Sequence, residues 1–194
     1  QGITQVYPKE KEKWYVKAPA FSFSKLSGLD ATLSPEMKST GEAIGYDKKL
    51  TRALYKALQS SGMKLANYGT IFVTIADKDK EEALPLIQRF YNLGFNIEAT
   101  KGTAKFLKEH GIRTRVKKKI SEGSEEILES LRKGYVSYVI NTRNIDSIDQ
   151  ETDGSYIRKC ATENNIPMFT ALDTVRTVLD VLEEITLGIS TIDE

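Results

Sequence analysis

Residues 70–76 read Thr70-Ile-Phe-Val-Thr-Ile-Ala76, a short apolar run rich in β-branched residues that directly follows Gly69. A run of this length and composition favours a strand that is buried on both faces of a sheet. Downstream, apolar residues from Ala83 to Phe90 recur at helical spacing, and Gly94 stands where a helix would end. This stretch therefore predicts a strand followed by a helix that begins at Lys80.

The same alternation continues to the C-terminus. Further strands are predicted at 95–100, 113–117, 136–141 and 168–171, and further helices at 103–110, 124–133, 155–164 and 173–186. Such alternation indicates right-handed βαβ crossovers and a mostly parallel sheet with helices on both faces. The fold class is therefore α/β, in three layers. Residues 1–61 lack the alternation, so we divide the chain into units 1–61 and 62–194.

The composition excludes several classes of protein. The chain has 194 residues, 40% of them hydrophobic, with 28 Lys and Arg against 27 Asp and Glu. A net charge of +1 argues against a nucleic-acid partner. The absence of a long apolar run and of a signal peptide predicts a cytoplasmic protein with no membrane partner. One cysteine, Cys160, and one histidine, His110, cannot form a zinc cluster, so we expect no metal site.

Ligands of open parallel sheets bind at the carboxyl ends of the strands. At the end of the second predicted strand the chain reads Ala99-Thr-Lys-Gly-Thr103 and opens a helix. Backbone N–H groups at a helix N-terminus and the positive end of its dipole favour a phosphate, and Gly102 permits close approach. The alternative is that a threonine here serves only as a helix cap.

Two lysines at the same edge strengthen the phosphate interpretation. Lys80 opens the first predicted helix and Lys119 follows the third strand, so two ammonium groups would balance a phosphate dianion. The run 117–119 is alternatively a solvated edge, and Asn141-Thr142 at the fourth strand is alternatively a turn. We expect His110 to cap a helix, and Cys160 to be a small buried apolar residue.

Two parts of the sequence resemble a known family. Residues 30–45, Asp30-Ala-Thr-Leu-Ser-Pro-Glu through Gly45, resemble the end of the second ATP-grasp unit in the large chain of carbamoyl phosphate synthetase. The later motifs resemble the methylglyoxal-synthase-like regulatory domain of that large chain. They are Asp79-Lys80, Gly94-Phe95, Ala99-Thr100, Gly102-Thr103, Glu122-Gly123, Val139-Ile-Asn-Thr142 and Ile157-Arg158.

The resemblance implies a five-stranded parallel sheet in the order 3-2-1-4-5, preceded by an extended or helical segment. It implies an allosteric domain that binds a nucleoside monophosphate, UMP with IMP as a second ligand, and that has no catalytic residue and no cofactor. The parent enzyme would be an ATP-dependent, glutamine-hydrolysing ligase using Mg or Mn, which makes carbamoyl phosphate for pyrimidine and arginine synthesis. Its partners would be the rest of the large chain, the small glutaminase subunit and further copies of itself.

The resemblance also implies the effector pocket. Carried over by position, it consists of Lys80, Thr100, Gly102, Thr103, Lys119 and Asn141, lined by Thr74 and Thr142. Arg143 departs from the family pattern and either adds a phosphate contact or occludes the pocket.

Two alternative functions are kept. One is a methylglyoxal-synthase-type phosphate lyase, although the loop 76–80 lacks the histidine of such enzymes and Glu122-Gly-Ser-Glu125 replaces their glycine-aspartate motif. The other is an oligomerisation module that uses the apolar face of the last helix, residues 175–185, for which ordinary core packing is the alternative.

Overall fold

The computed structural model describes residues 14–20, 41–47, 55–56, 59, 65–142 and 153–190. Its strands are β1 Trp14–Ala20, β2 Gly41–Asp47, β3 Thr70–Thr74, β4 Asn96–Thr100, β5 Thr114–Lys117, β6 Val136–Asn141 and β7 Met168–Phe169. Its α-helices are α1 Lys80–Asn92, α2 Lys101–Glu109, α3 Glu126–Arg132, α4 Asp153–Glu163 and α5 Leu172–Ser190. Two short 3-10 turns, Asp77–Asp79 and Ile120–Glu122, follow β3 and β5.

Strands β3 to β7 form one five-stranded sheet in the spatial order β5-β4-β3-β6-β7. All four neighbouring pairs run parallel. Counted along this part of the chain, the order is 3-2-1-4-5, as the family resemblance implied. The predicted fold class is therefore confirmed, and β3 lies at the centre of the sheet.

The helices cover both faces of the sheet. On one face, Ile71 and Val73 of β3 pack with apolar residues of α1, α2 and α5. On the other face, Phe72 packs with residues of α3 and α4. Neighbouring residues of β3 alternate between these two clusters because successive side chains of a strand point to opposite faces. The three-layer arrangement predicted from the alternation is confirmed.

The apolar face of α5 is part of this core. Val175, Val178, Leu179 and Leu182 are all buried within the first cluster. These side chains are therefore occupied inside the molecule, and the interpretation of this face as ordinary core is the one the structure supports. An oligomerisation module built on it is not supported.

Two element boundaries at the carboxyl edge of the sheet, where the ligand site is predicted, differ from the prediction. Strand β3 ends at Thr74, not Ala76, because the N–H groups of Ile75 and Ala76 donate to threonine hydroxyls of neighbouring segments. Helix α2 begins at Lys101, two residues earlier than predicted. Its first turn therefore contains Gly102 and Thr103, which the sequence had placed before or at its start.

Within residues 1–61, β1 and β2 pair antiparallel, with Trp14 opposite Asp47 and Ala20 opposite Gly41. The predicted boundary between residues 61 and 62 lies outside the described residues. In the described part of the chain, no helix combines the length and apolar character needed to cross a membrane.

Candidate functional site

Polar side chains end the three central strands of the sheet. Thr74 is the last residue of β3, Thr100 of β4 and Asn141 of β6. Thr74 lies opposite Asn141 in the β3–β6 register, and its hydroxyl oxygen is 3.4 Å from that of Thr100. All three residues are buried, although their types are hydrophilic. The carboxyl edge of the sheet is therefore polar at its centre.

Two further threonines fix the chain where it leaves β3. The hydroxyl oxygen of Thr103 accepts a hydrogen bond from the Ile75 N–H at 3.1 Å, and that of Thr142 accepts from the Ala76 N–H at 3.0 Å. A threonine hydroxyl carries two acceptor lone pairs and one donor proton. Each hydroxyl therefore retains its proton, which a bound anion could accept.

The N-terminus of α2 is open to an anion. Its N-cap residue, Thr100, makes no side-chain capping bond, and no acidic residue stands in the first turn. Gly102 in that turn is exposed, and a Cβ atom on it would have no neighbour within 4 Å. The first N–H groups of a helix have no intrahelical acceptor, and the helix dipole is positive at this end. These donors suit a phosphate.

Lys80 places a positive charge at the same point. As predicted, it opens α1, and its Nζ lies 3.4 Å from the carbonyl oxygen of Gly102. The ammonium also lies 2.6 Å from Asp77 Oδ1 and 5.8 Å from the centroid of the Phe106 ring. Its side chain is only 17% exposed. The charge is thus held beside the first turn of α2.

Lys119 lies at the same edge but apart from this group. It precedes the 3-10 turn Ile120–Glu122, and its backbone N–H donates to Glu122 Oε2 at 3.1 Å. It is two residues beyond Lys117, which lies opposite Thr100. Among the described residues its ammonium forms no ion pair, and no side-chain hydrogen bond joins it to another member of the predicted pocket. Arg143 lies outside the described residues.

The structure therefore brings together seven of the predicted pocket residues: Thr74, Lys80, Thr100, Gly102, Thr103, Asn141 and Thr142. Their roles in binding stay predictions. Two contributors were missed by sequence reasoning, Asp77 and Phe106, which both contact Lys80. The three-residue spacing of Asp77 and Lys80 was the available signal, since residues so spaced in a helical turn can pair.

A buried carboxylate of β4, that of Glu98, was missed as well. Glu98 is 1% exposed, and its Oε1 lies 3.1 Å from Arg115 Nη1 and 3.7 Å from Lys117 Nζ. The Tyr135 hydroxyl donates to the same oxygen at 3.3 Å. Glu98 therefore balances the charge of Lys117 and distinguishes it from Lys119. The run of lysines is not a uniform solvated edge.

His110 and Cys160, the remaining residues considered in the sequence, occupy positions that stabilise the fold. His110 is the C-cap residue of α2, and its Nδ1 lies 2.8 Å from the Phe106 carbonyl oxygen, which agrees with the predicted capping position. Cys160 is buried, and burial raises the pKa of its thiol, so the reactive thiolate is disfavoured. Among the described residues, no group of three or more His, Cys, Asp or Glu side chains is placed to hold a metal ion.

Part of this region is similar to a known family. Residues 82–170 match the sequence model of the family described as MGS-like domain. The match extends over a little under half of the chain. The match includes Thr100, Thr103 and Thr142 but begins after Lys80.

One solved structure similar to this chain is the crystal structure of methylglyoxal synthase from Elizabethkingia anophelis NUHP1. It is 20% identical, covers 59% of this chain and 79% of that chain, and gives a TM-score of 0.49. The predicted resemblance to an MGS-like domain is supported for residues 82–170 by the family model. The link to carbamoyl phosphate synthetase stays a prediction.

Proposed function

We propose that the MGS-like domain binds a nucleoside monophosphate, UMP with IMP as a second ligand, and is a non-catalytic effector-binding domain. The observation that carries the proposal is the open N-terminus of α2 with the Lys80 ammonium beside it. Helix donors, threonine hydroxyls and a lysine together match the oxygens and charge of a phosphate group. Asn141 and Lys119 would contact the ligand farther from the helix.

Gly102 supports the proposal because the fold does not require a glycine there. Its backbone is helical, and a Cβ atom would meet open space. Glycine inside a helix is less favourable than alanine by about 0.5–1 kcal/mol. A ligand that approaches the backbone closely gives a physical reason for this unfavourable choice.

The arrangement favours binding over catalysis. A phosphate lyase needs a general base within hydrogen-bond reach of the proton that it removes. The single histidine of the chain, His110, lies at the C-terminal end of α2, whereas the phosphate donors lie at its N-terminal end. The carboxylate nearest to Lys80, that of Asp77, is paired with the ammonium.

We propose further that the parent protein is the large chain of a glutamine-hydrolysing carbamoyl phosphate synthetase. This rests on the sequence resemblance of residues 30–45 and of the later motifs. The parent would use ATP with Mg or Mn, assemble with a small glutaminase subunit, and supply the pyrimidine and arginine pathways. An effector that binds one state of this enzyme more tightly shifts its activity by that difference, typically about 1–3 kcal/mol.

The deciding experiment is a titration of the chain with UMP, IMP, uridine and inorganic phosphate at one ionic strength. We expect UMP to bind and uridine to bind far more weakly, because the charged donors face the phosphate. Ligand at 100 times its dissociation constant should raise the free energy of unfolding by about 2.7 kcal/mol.

Lys80→Ala should weaken UMP binding about tenfold or more, since it removes a charge-assisted contact of roughly 1.5–3 kcal/mol. Lys78→Ala is the matched control, because Lys78 is an exposed lysine of the preceding 3-10 turn. Equal UMP affinity in wild type and Lys80→Ala would refute the site. Formation of methylglyoxal from dihydroxyacetone phosphate by the purified chain would favour the lyase instead.

A further inference from the structure

We propose that Asp77 is a built-in competitor of the ligand for Lys80. In the structure its carboxylate contacts the lysine ammonium, and a phosphate would compete with it for that positive charge. Asp77 would thereby set both the affinity of the site and its requirement for a doubly charged ligand. This inference rests on the proposed function, because it assumes that the phosphate contacts Lys80.

The contact itself places an anion of the chain at the site. Asp77 Oδ1 lies 2.6 Å from Lys80 Nζ, which in turn lies 3.4 Å from the carbonyl oxygen of Gly102 in the first turn of α2. A carboxylate is planar and singly charged, but its oxygens accept hydrogen bonds as phosphate oxygens do. Asp77 therefore makes with Lys80 the type of contact that a phosphate would make.

The surroundings of the pair favour competition over a positioning role. Lys80 has other anchors, since it begins α1, contacts the Gly102 carbonyl and lies over the Phe106 ring. Its side chain is 17% exposed, whereas that of Asp77 is 94% exposed. Lys80 would thus stay in place without Asp77. The Asp77 carboxylate is open to solvent, so water can solvate it when the ammonium contacts a phosphate instead.

The competition discriminates between ligands by charge. A phosphate dianion attracts the ammonium more strongly than a carboxylate does, and it also bonds to the helix N–H groups, so it displaces Asp77. An uncharged nucleoside gains nothing from Lys80 and leaves the pair intact. Removal of the carboxylate should therefore strengthen phosphate binding and leave nucleoside binding unchanged.

The test compares Asp77→Asn with Asp79→Asn in titrations with inorganic phosphate, UMP and uridine. Both substitutions remove one negative charge from the same 3-10 turn, but only Asp77 pairs with Lys80. At about pH 8, where the phosphate monoester is a dianion, Asp77→Asn should bind phosphate and UMP about two- to fivefold more tightly. Asp79→Asn should change the affinity by less than about 1.5-fold, because Asp79 makes no ion pair with Lys80 and charges at a distance are screened by solvent and salt.

Each other outcome overturns the inference in a distinct way. Equal affinities in wild type and Asp77→Asn would show that the carboxylate does not compete. Weaker binding by Asp77→Asn would show that it orients Lys80 for the ligand. An equal gain in both variants would reveal only a general charge effect. These three results leave the proposed function standing, whereas a failure of wild type and Asp77→Asn alike to bind phosphate or UMP would overturn both.

Discussion

Gly102 and Gly69 are glycines for different physical reasons. Gly69 has φ of +115°, and a Cβ atom on it would collide with the Ser137 hydroxyl, so the fold itself requires glycine there. Gly102 is helical and its missing side chain faces open space. A substitution at Gly102 can therefore separate binding from folding.

We expect Gly102→Ala to keep or slightly raise the free energy of unfolding, since alanine favours a helix by up to about 1 kcal/mol. Its methyl group should weaken phosphate binding by about 1–2 kcal/mol, or roughly 5–30-fold, by crowding the ligand. Urea unfolding and UMP titration measure the two effects. Gly111→Ala is the control: its φ of +80° predicts lower stability with unchanged UMP affinity. Unchanged UMP affinity in Gly102→Ala would contradict the close approach.

At the scale of elements, carboxylates hold the loop between β5 and α3 in place. Glu126 accepts from the Lys118 N–H at 3.2 Å, and Glu122 accepts from the Lys119 N–H at 3.1 Å. Asp153, at the start of α4, accepts from both the N–H and the hydroxyl of Ser121, at 2.8 and 3.2 Å. The position of Lys119 therefore depends in part on another helix.

Asp153→Ala should loosen this loop. Loss of the two hydrogen bonds should lower the free energy of unfolding by about 0.5–1.5 kcal/mol and speed hydrogen exchange at residues 118–123. UMP binding should weaken about two- to fivefold if Lys119 contacts the phosphate, because the substitution loosens the position of this lysine without removing its charge. Asp173→Ala, which removes a carboxylate paired with Arg176 at the start of α5, is the control. Unchanged exchange in Asp153→Ala would show that the contact does not order the loop.

At the scale of the whole molecule, Tyr138 connects the sheet with the segment that precedes it. Its ring packs against Phe90, Phe95 and Phe169, and its hydroxyl donates to the Ala66 carbonyl at 2.6 Å. Burial raises the pKa of Tyr138 well above its ordinary value. The folded state therefore retains a proton that the unfolded state releases more readily.

The sign of the resulting pH dependence follows from linkage. Above the ordinary tyrosine pKa of about 10, the unfolded chain loses this proton first, so the stability contributed by Tyr138 is full below about pH 10 and declines above it. Tyr138→Phe should lower the free energy of unfolding at about pH 8 by 1–2 kcal/mol and should flatten the alkaline decline. Urea unfolding at several pH values measures both. Substitution of the exposed Tyr156 by Phe serves as the control. If the free energy of unfolding of Tyr138→Phe declined above pH 10 as steeply as that of the wild type, the decline would not be due to Tyr138.

The five strands of the parallel sheet and the five helices that cover it could all be predicted from the sequence, because hydrophobic periodicity records which residues are buried. The rule that parallel strands all end at one edge of the sheet also predicted that the polar strand ends and the N-terminus of α2 lie at that same edge. The element ends were less predictable. Ile75 and Ala76 continue the apolar pattern of β3, yet their N–H groups bond to Thr103 and Thr142, which lie far along the chain.

Periodicity and residue type were thus sufficient for the fold class, the three layers and the edge at which a ligand would bind. Among the charges at that edge, the pairing of Asp77 with Lys80 has a local signal in the spacing of the two residues. The contacts of Glu98 with Lys117, and of Asp153 with the loop of Lys119, were decided only by the tertiary structure. Periodicity indicates which residues are buried, because the spacing of apolar residues along the chain follows the buried face of each element. A charge pair depends on the distance between two side chains, and the packed fold alone sets that distance.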